Sequence, residues 1–381
     1  MAKETTTPEV EQVSQSYWSL VWWKFKKSKT AIAGGIVVIL YYLCCALFAE
    51  FFAPYLLETK SDYQEAPPQK IHLRDENGKF TKPFVYGYTK EIDQATRKRS
   101  YVEDTSVKYE ISLFVKAEPY KILGIIPSDI HFFGGDYDLW TFEKRIATRP
   151  EIHIFGTDTV GRDLFSRILY GGRISLLLGL MGMAMTLVFG TVLGAISGYY
   201  GGVVDIVLQR VTEFLAAFPD IPLFMALSSA IPATWSPLAV YFMLTIILSF
   251  VRWGGLSRQV RGLILSLRER EYVLAAVSFG SEDSRLLFKH LIPGTLSHII
   301  VIVTLSIPGM ILSETALSWL GLGLRPPMTS WGVLLQEVAA VRQIRYAPWL
   351  MVPIPFIIVV VLAFNLLGDG LRDAMDPYGG R

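Results

Sequence analysis

The sequence predicts an all-α polytopic membrane protein of about six transmembrane helices that carries a small β-rich insertion on its extracytoplasmic side. Three observations predict this class. Of the 381 residues, 51% are hydrophobic. Uncharged runs long enough to cross a bilayer recur along the chain. The mean hydropathy of +0.38 is nevertheless moderate for a chain made wholly of membrane helices, which indicates a sizeable soluble part.

The first apolar run predicts a transmembrane helix over residues 31–53, preceded by a polar segment, 1–30. This run is too long for a signal-peptide core and lacks a small-residue cleavage site, so we expect it to be retained. Cys44 and Cys45 are adjacent within it and cannot form an unstrained disulfide with each other. We interpret both as small apolar helix residues.

Residues 54–150 break the membrane pattern and predict a small extracytoplasmic β-rich domain. Segments 82–90 and 107–116 alternate with the period of strands. Asn77-Gly78 predicts a hairpin turn, and Pro119 predicts a second turn. The aromatic residues of this segment either form the core of the small domain or stack on a ligand. These residues are Tyr101, Tyr109, Phe114, Tyr120, Phe132, Phe133, Tyr137, Trp140 and Phe142.

Beyond a pre-span segment, 151–173, five more apolar runs predict a helical core over residues 174–368. Pro232 and Pro237 divide the longest uncharged stretch into two spans. A short tail, 369–381, follows the core. The five predicted spans are 174–197, 206–231, 238–255, 299–320 and 348–367.

Basic residues predict the orientation of these spans in the cell (inner or plasma) membrane. They cluster before the first span and within a loop, 256–297, between the fourth and fifth spans. The positive-inside rule places both clusters, and therefore both chain termini, in the cytoplasm. The two clusters are Lys24, Lys26, Lys27 and Lys29, and Arg258, Arg261, Arg268, Arg270, Arg285 and Lys289.

The cytoplasmic loop contains a pattern that predicts two short helices, the second of which, 284–291, is expected to stop before Pro293. An apolar face on such a loop has no lipid to cover it, so it requires a partner protein. Tyr272, Ala276 and Phe279 are predicted to form one face, and the small residues Ala275, Ala276 and Gly280 would let another protein approach the backbone.

The segment "EYVLAAVSFG…LIP" resembles the EAA loop of ABC-importer permeases. In that family the loop forms a coupling helix that sits in a groove of the ATPase subunit. The resemblance therefore implies an ATPase-coupling loop in this chain, to which Tyr272 and Phe279 contribute apolar surface. The positions that match the motif are Glu271, Ala275, Ala276, Gly280, Ile292 and Pro293.

Further motifs resemble the dipeptide, oligopeptide and nickel group of binding-protein-dependent ABC importers. They are the segments at 153–176, 198–205, 313–332 and 364–377. Two departures are mild: His-Ile-Phe-Gly stands where His-Pro-Leu-Gly is usual, and Trp319 stands where Phe is usual. The insertion at 54–150 is longer than in most members of the group.

The resemblance implies a type I ABC importer permease fold that forms half of a translocation pathway. It also implies four partners besides the lipid bilayer: a second homologous permease subunit, two ABC ATPase subunits that bind ATP and magnesium, and an extracytoplasmic solute-binding protein. A peptide is the implied cargo, with an oligosaccharide or nickel as alternatives. The shared motifs do not explain the insertion, and docking of the binding protein or capping of the pathway is a separate hypothesis for it.

The segment before the second span combines turn-forming glycines with charged residues. We expect Asp158, Arg162 and Asp163 to form a compact ion-pair cluster at the membrane surface, either as a structural staple or as a substrate contact. The whole signature cluster is Gly156, Thr157, Asp158, Gly161, Arg162 and Asp163.

Two acidic residues fall within predicted spans, where a charge must face protein or water. Asp220 and Glu314 are therefore candidates for lining the pathway. For Asp220 the alternative is a helix break near a membrane interface, because Pro219 and Pro222 flank it. Arg210 and Glu213, three residues apart, are expected to pair.

The sequence contains no phosphate-binding loop and no recognisable nucleophile–base motif, so we expect a non-enzyme without its own cofactor. The five histidines are scattered, which predicts no metal site, and the net charge of +2 argues against nucleic acid. Three other classes compete. An ion-coupled secondary transporter would show an internal repeat, a membrane-anchored enzyme would need catalytic residues in 54–150, and a sensor would not need six spans.

Overall fold

The structure is a computed structural model, and it describes residues 16–75, 78–92, 99–135, 150–232 and 234–376. Within these ranges, five helical segments are long and apolar enough to cross a membrane, and a bent pair of helices makes up to six. The predicted class, a helical membrane protein with a small β-rich insertion, is confirmed. The five segments are Lys29–Leu47, Leu164–Tyr200, Pro237–Leu267, Asp283–Trp319 and Pro348–Met375.

The N-terminal segment, predicted only as polar, contains helix α1 (Tyr17–Lys27). Val21 and Phe25 on its inner face pack against Ala374 near the other end of the described chain. Three tryptophans of this helix are about half exposed, and Lys27 lies over one of their rings. This mixture of tryptophan and lysine is typical of a helix that lies in the membrane–water interface. The three are Trp18, Trp22 and Trp23.

The first span is made of three consecutive pieces. Helix α2 (Lys29–Tyr41) continues as a π-helix (Tyr42–Leu47), and helix α3 (Ala49–Phe52) follows after Phe48. The wider π turn contains both cysteines, which are free.

Helix α4 (Leu164–Tyr200) is the longest element and packs along helix α7 (Pro237–Leu267). Glycines recur at every fourth position on the packed face of α4, at Gly190, Gly194 and Gly198. A Cβ atom on Gly194 would lie only 2.5 Å from the carbonyl oxygen of Ser257. Small residues at this spacing let two membrane helices approach closely.

Both helices are longer than the spans predicted for them. Helix α4 begins ten residues before the predicted start at residue 174, so the end of the predicted pre-span segment is helical. Helix α7 runs to Leu267, so residues 256–267 belong to it and not to a loop. Hydropathy marks only the part of a helix that is surrounded by lipid, and it does not detect a polar extension beyond the bilayer.

The predicted third span, residues 206–231, is not one straight helix, and the helix break named above as the alternative for Asp220 is present. The structure has two helices, α5 (Gly202–Ala216) and α6 (Asp220–Ser229), bent by 90° relative to each other. Pro219 explains the break, because its ring excludes the preceding residue from helical conformation and its nitrogen donates no hydrogen bond.

The remaining helices complete the bundle. Helix α8 (Glu271–Ser278) and the single turn α9 (Asp283–Arg285) precede a π-helix (Leu286–Leu291), which leads directly into α10 (Ile292–Trp319). Between α10 and the last span lie two short helices, and Trp331 at the start of the first is fully buried. These last elements are α11 (Trp331–Gln336), α12 (Val341–Tyr346), a 3-10 turn (Pro348–Met351) and α13 (Pro353–Met375).

The insertion contains two antiparallel sheets, in the orders β1-β2-β3 and β4-β5. The predicted strand 82–90 lies within β2, whereas the predicted strand 107–116 is divided at Ile111 between β3 and β4. The strands are β1 (His72–Arg74), β2 (Phe80–Ile92), β3 (Arg99–Glu110), β4 (Ser112–Ile122) and β5 (Ile126–Gly134).

The two predicted turns have different outcomes. Pro119 does not form a turn; it lies within β4, where the pairing with β5 shifts register between Lys116 and Tyr120. An irregularity of this kind accepts a residue that lacks a backbone N–H group. The actual turn is at Leu123 and Gly124, both of which have positive φ. Asn77 lies outside the described residues.

The aromatic residues of the insertion contact one another and the top of the first span. Tyr120 is buried, and Phe132 packs against Phe51 and Phe52. Phe114 touches Phe132 but is 62% exposed. These contacts favour the core interpretation over ligand stacking. Tyr137, Trp140 and Phe142 lie outside the described residues.

We expect Gly194→Val to destabilise the bundle by about 1–3 kcal/mol, because the added side chain would collide with the backbone of α7. The melting temperature of the purified protein in detergent measures the effect. Gly262→Val is the matched control, since a Cβ atom at this helical glycine meets nothing within 4 Å. Equal melting temperatures for the two variants would contradict the close approach of α4 and α7.

Candidate functional site

Helix α8 ends in a turn that only glycine forms without strain. Gly280 has a φ of +78°, its N–H donates to the carbonyl of Val277, and the N–H of Ser281 donates to the carbonyl of Ala276. This pair of hydrogen bonds is the Schellman motif, which satisfies the last carbonyls of a helix and reverses the chain. Four of the residues matched to the EAA loop, Glu271, Ala275, Ala276 and Gly280, therefore lie in a well-defined helix and its cap.

One side of α8 packs on the bundle and the other side is open. Val273 is buried and Ala276 is half-buried against the main core. The helical spacing predicted that Ala276 shares a face with Tyr272 and Phe279. In the structure Ala276 instead lies on the covered side of α8, whereas the other two side chains are exposed. Four apolar side chains are exposed instead, Phe279 by 90%, and we name them the α8 surface. Its members are Tyr272, Leu274, Val277 and Phe279.

The second short helix does not stop before Pro293, so that prediction is wrong. The chain is helical from Asp283 to Trp319, and a π-helix (Leu286–Leu291) lies immediately before Ile292 and Pro293. The π turn is wider than an α turn, and we attribute the continuity to the room it gives the proline ring. The α8 surface is thus joined through Gly280 to one continuous helical rod across the membrane.

The glycines of the signature cluster let two chain segments cross closely. Gly156 and Gly161 both have positive φ, and Cβ atoms on them would lie 2.4 and 2.3 Å from the carbonyl oxygens of Ala66 and Ser61, respectively. Thr157 is fully buried beside them; its hydroxyl donates to the carbonyl of Tyr63 and accepts from the N–H of Ala66. The signature thus anchors the first residues of the insertion.

The predicted ion-pair trio divides into two clusters. Asp158 accepts from Arg162 Nε at 2.7 Å and from Arg167 at 2.6 Å. Arg167 is buried and also pairs with Glu337 at 2.7 Å, and burial raises the pKa of the Glu337 carboxyl. Sequence reasoning missed Arg167 and Glu337, since nothing local links residues so far apart. This first cluster joins α4 to the end of α11.

Asp163 belongs to the second cluster. Its carboxylate caps α4 by accepting from the N–H of Ser166 at 2.7 Å, and it also contacts Nδ1 of His153 at 3.0 Å. The other ring nitrogen of His153 lies 2.8 Å from Glu151. Burial lowers the pKa of His153, but the hydrogen bonds to the two carboxylates outweigh it and raise the pKa from 6.5 to about 9.

Glu314 lies inside the packing of the chain and is 1% exposed. Its carboxylate accepts hydrogen bonds from three serine hydroxyls at 2.6–2.9 Å. These hydroxyls come from α4, α10 and the residue before α11, so the carboxylate joins three elements. They belong to Ser175, Ser318 and Ser330.

Asp220 is the first residue of α6, at the 90° bend, and its side chain is 61% exposed. Its carboxylate lies 3.7 Å from a guanidinium nitrogen of Arg252, a residue that sequence reasoning did not single out. Arg210 and Glu213 pair at 2.8 Å on the exposed side of α5.

Two further ion pairs join spans and were missed from the sequence. Glu50 and Arg173 meet through two hydrogen bonds of 2.5 Å, which tie the first span to α4. Arg261 and Asp205 also meet through two hydrogen bonds, both of 2.6 Å, which tie α7 to α5. The sequence could have indicated these pairs through the rule that a charge within or beside a span requires a partner.

Comparison with known protein families gives two matches. Residues 190–378 match the family described as "Binding-protein-dependent transport system inner membrane component". Residues 16–68 match the "N-terminal TM domain of oligopeptide transport permease C". The second match covers α1 and the first span, and the first covers most of the bundle.

Individual relatives give the same result. The oligopeptide transport system permease protein OppC of Haemophilus influenzae is 40% identical over 70% of this chain and 83% of its own length. The dipeptide transport system permease protein DppC of Alkalihalophilus pseudofirmus is 43% identical over 59% of this chain and 72% of its own. The glutathione transport system permease protein GsiD of Pectobacterium atrosepticum is 41% identical over 59% and 72%.

Since folding raises the pKa of His153 from 6.5 to about 9, its ion pairs stabilise the fold fully below about pH 6.5, and this contribution is lost as the pH rises through about 9. We expect the melting temperature of the wild type to exceed that of His153→Gln at about pH 7, and the difference to shrink towards about pH 10. His290→Gln, at a half-buried histidine, controls for general alkaline effects. A difference that stays constant with pH would contradict the charged state.

For Glu314→Ala we expect a loss of about 1–3 kcal/mol in stability, because three buried hydroxyls lose their acceptor. Uptake per correctly folded molecule should remain close to that of the wild type. Glu213→Ala, at an exposed ion pair, should change neither quantity. Normal stability with abolished uptake would instead make Glu314 a pathway residue.

Proposed function

This chain belongs to the family of binding-protein-dependent transport system inner membrane components, and we propose that it forms half of the translocation pathway of an ATP-driven importer. The other half would come from a second homologous permease subunit. Two ATPase subunits would bind ATP and magnesium, so this chain needs no catalytic residue or cofactor of its own. An extracytoplasmic binding protein would deliver the cargo.

The observation that carries the proposal is the α8 surface. Its four apolar side chains are each about half exposed or more, and Phe279 at its end is almost fully exposed. In our proposed orientation this surface lies in the cytoplasm, where it needs a protein partner to cover it. A groove in an ATPase subunit meets that need, as the resemblance to the EAA loop implies.

The packing of α8 explains how a movement of the ATPase would reach the membrane. Val273 anchors the inner face of α8, and Leu286, Leu287 and Leu291 anchor the rod that follows it. A helix fixed by such contacts moves as a body and does not unwind. Displacement of α8 would therefore tilt α10 and open the pathway to one side or the other.

A second contact extends this coupling to α4. The hydroxyl of Tyr199, near the end of α4, donates to Asp283 at 2.7 Å. Arg268, just after α7, also donates to the carbonyl of Gly198. The ends of three spanning helices thus meet beside α8 and would respond together.

We propose a peptide as the cargo. The support is that the relatives carry the names of oligopeptide, dipeptide and glutathione permeases. An oligosaccharide or nickel, which the resemblance also allows, is the alternative. We further propose that both termini are cytoplasmic, in line with the lysines of α1, and that the insertion faces the binding protein.

The insertion offers a surface for that binding protein at the tip of its second hairpin. Leu123, Ile125 and Ile126 are exposed there, Ile125 by 78%. The hairpin rests on the end of the first span, where one ring nitrogen of His131 contacts the carbonyl of Ala53. The other ring nitrogen contacts the carbonyl of Glu118 within the hairpin itself. A rigid support of this kind suits a docking element.

Replacement of Phe279 tests the proposal directly. We expect Phe279→Ala to lower co-purification of the ATPase subunits and ATP-dependent uptake by about tenfold or more, because Phe279 is the most exposed apolar side chain of the α8 surface. Phe80→Ala is the matched control, since Phe80 is also strongly exposed but lies on β2. Uptake by the purified chain without ATPase subunits would instead favour an ion-coupled secondary transporter.

A further inference from the structure

Arg252 is a charged residue halfway along the spanning helix α7, and it is only loosely paired. One guanidinium nitrogen donates to the hydroxyl of Ser313 at 2.7 Å and lies 3.7 Å from Asp220, beyond hydrogen-bond distance. Its Nε is buried without a hydrogen-bond partner among the described residues. A guanidinium has five N–H donors, and the hydrogen bond to Ser313 is the one that Arg252 makes within the part of the chain that the structure describes.

Helix α10 is shaped to hold this guanidinium in place. A Cβ atom on Gly309 would lie 2.8 Å from Nη1 of Arg252, so a side chain at this position would push the guanidinium aside. Ser313, one turn further along, accepts from Arg252 while its own hydroxyl donates to the carbonyl of Gly309. On the other side Arg252 lies 6.0 Å from the centre of the buried Phe224 ring.

Arg252 also lines a cavity of about 140 Å³ between α4, α7 and α10. Thr186 lines the same cavity; it is 2% exposed, and its hydroxyl has no partner among the described residues. Gln259 and Ile302 line both this cavity and a larger one of about 520 Å³, which reaches Arg372 near the end of α13. The two cavities therefore share a wall and lead from Arg252 towards the cytoplasmic side proposed above.

The bend before α6 adds a second source of positive potential. The N-terminus of a helix carries partial positive charge, and broken membrane helices use such ends to bind anionic groups of a substrate. Asp220, the first residue of α6, now places its own carboxylate there. The Asp220 carboxylate lies 3.7 Å from the nearest guanidinium nitrogen of Arg252, and its side chain is 61% exposed. Such a pair is too weak to neutralise Arg252 fully.

We propose that Arg252 binds a carboxylate of the cargo during passage, and that this carboxylate displaces Asp220 from the guanidinium. The inference rests on the proposed function and names the class of cargo, which is a peptide with a free terminal carboxylate. A carboxylate matches the planar fork of a guanidinium through two hydrogen bonds. A neutral oligosaccharide would leave the charge uncompensated, and a nickel cation would be repelled by it.

The test compares the uptake of tri-alanine with that of its C-terminal amide. It uses the complete importer in proteoliposomes, with each peptide at a concentration that saturates the binding protein. We expect the wild type to favour the free acid. Arg252→Gln should lower uptake of the acid at least tenfold and bring the acid-to-amide ratio close to one. Arg252→Lys should recover part of the ratio, and Arg210→Gln, at an exposed ion pair, should leave both peptides unaffected.

Two further variants keep the outcome decisive. Gly309→Val retains the charge but displaces the guanidinium, so it should also reduce the ratio, whereas Asp220→Asn removes only the competing anion and should preserve or raise it. An equal loss of both peptides in Arg252→Gln, or a ratio near one in Asp220→Asn, would overturn the inference. Equal uptake of both peptides by the wild type would refute this inference and leave the proposed function standing. Uptake of neither peptide in the presence of ATP would refute the proposed function as well.

Discussion

Apolar side chains that emerge from a membrane protein into water must be covered by another protein, and the proposed account depends on this constraint at the α8 surface. The surface is useful because it is rigidly mounted. Val273 is buried beneath it, and the cap at Gly280 fixes the turn into the rod that continues as α10. A flexible loop with the same composition would bind a partner without transmitting its movement.

The charges in and near the membrane fall into two groups with different roles. Glu50–Arg173, Asp158–Arg167–Glu337 and Asp205–Arg261 are closely hydrogen-bonded and tie helices together. Removing one partner from such a pair leaves a buried charge unpaired, so these pairs are expected to persist throughout a transport cycle. Arg252 differs from these pairs, because the nearest carboxylate among the described residues, that of Asp220, lies 3.7 Å away and is 61% exposed. A loosely paired charged side chain that lines a cavity can exchange its partner for another.

Most of the bundle could be predicted from the sequence, because a bilayer imposes one length and one composition on every span. The 90° bend at Pro219 could not be predicted, because a proline indicates a break in a helix but not the angle that packing then selects. The inward orientation of Ala276 also required the structure: a helical repeat shows that residues share a face, not which face is covered. One of the two acidic partners of Arg167 is Glu337, 170 residues away, and no local pattern contains that information. The division of the predicted strand at Ile111 is likewise not marked in the alternating pattern of residues 107–116.

Cross-linking from the α8 surface measures the central claim most directly. A cysteine introduced as Phe279→Cys, with Cys44 and Cys45 replaced by alanine, would be joined to its neighbour in the assembled complex by a short thiol-reactive reagent. The account predicts a covalent product with an ATPase subunit and loss of uptake once the link is made. A product with no ATPase subunit in a complex that still transports, or undiminished uptake in the linked complex, would contradict it.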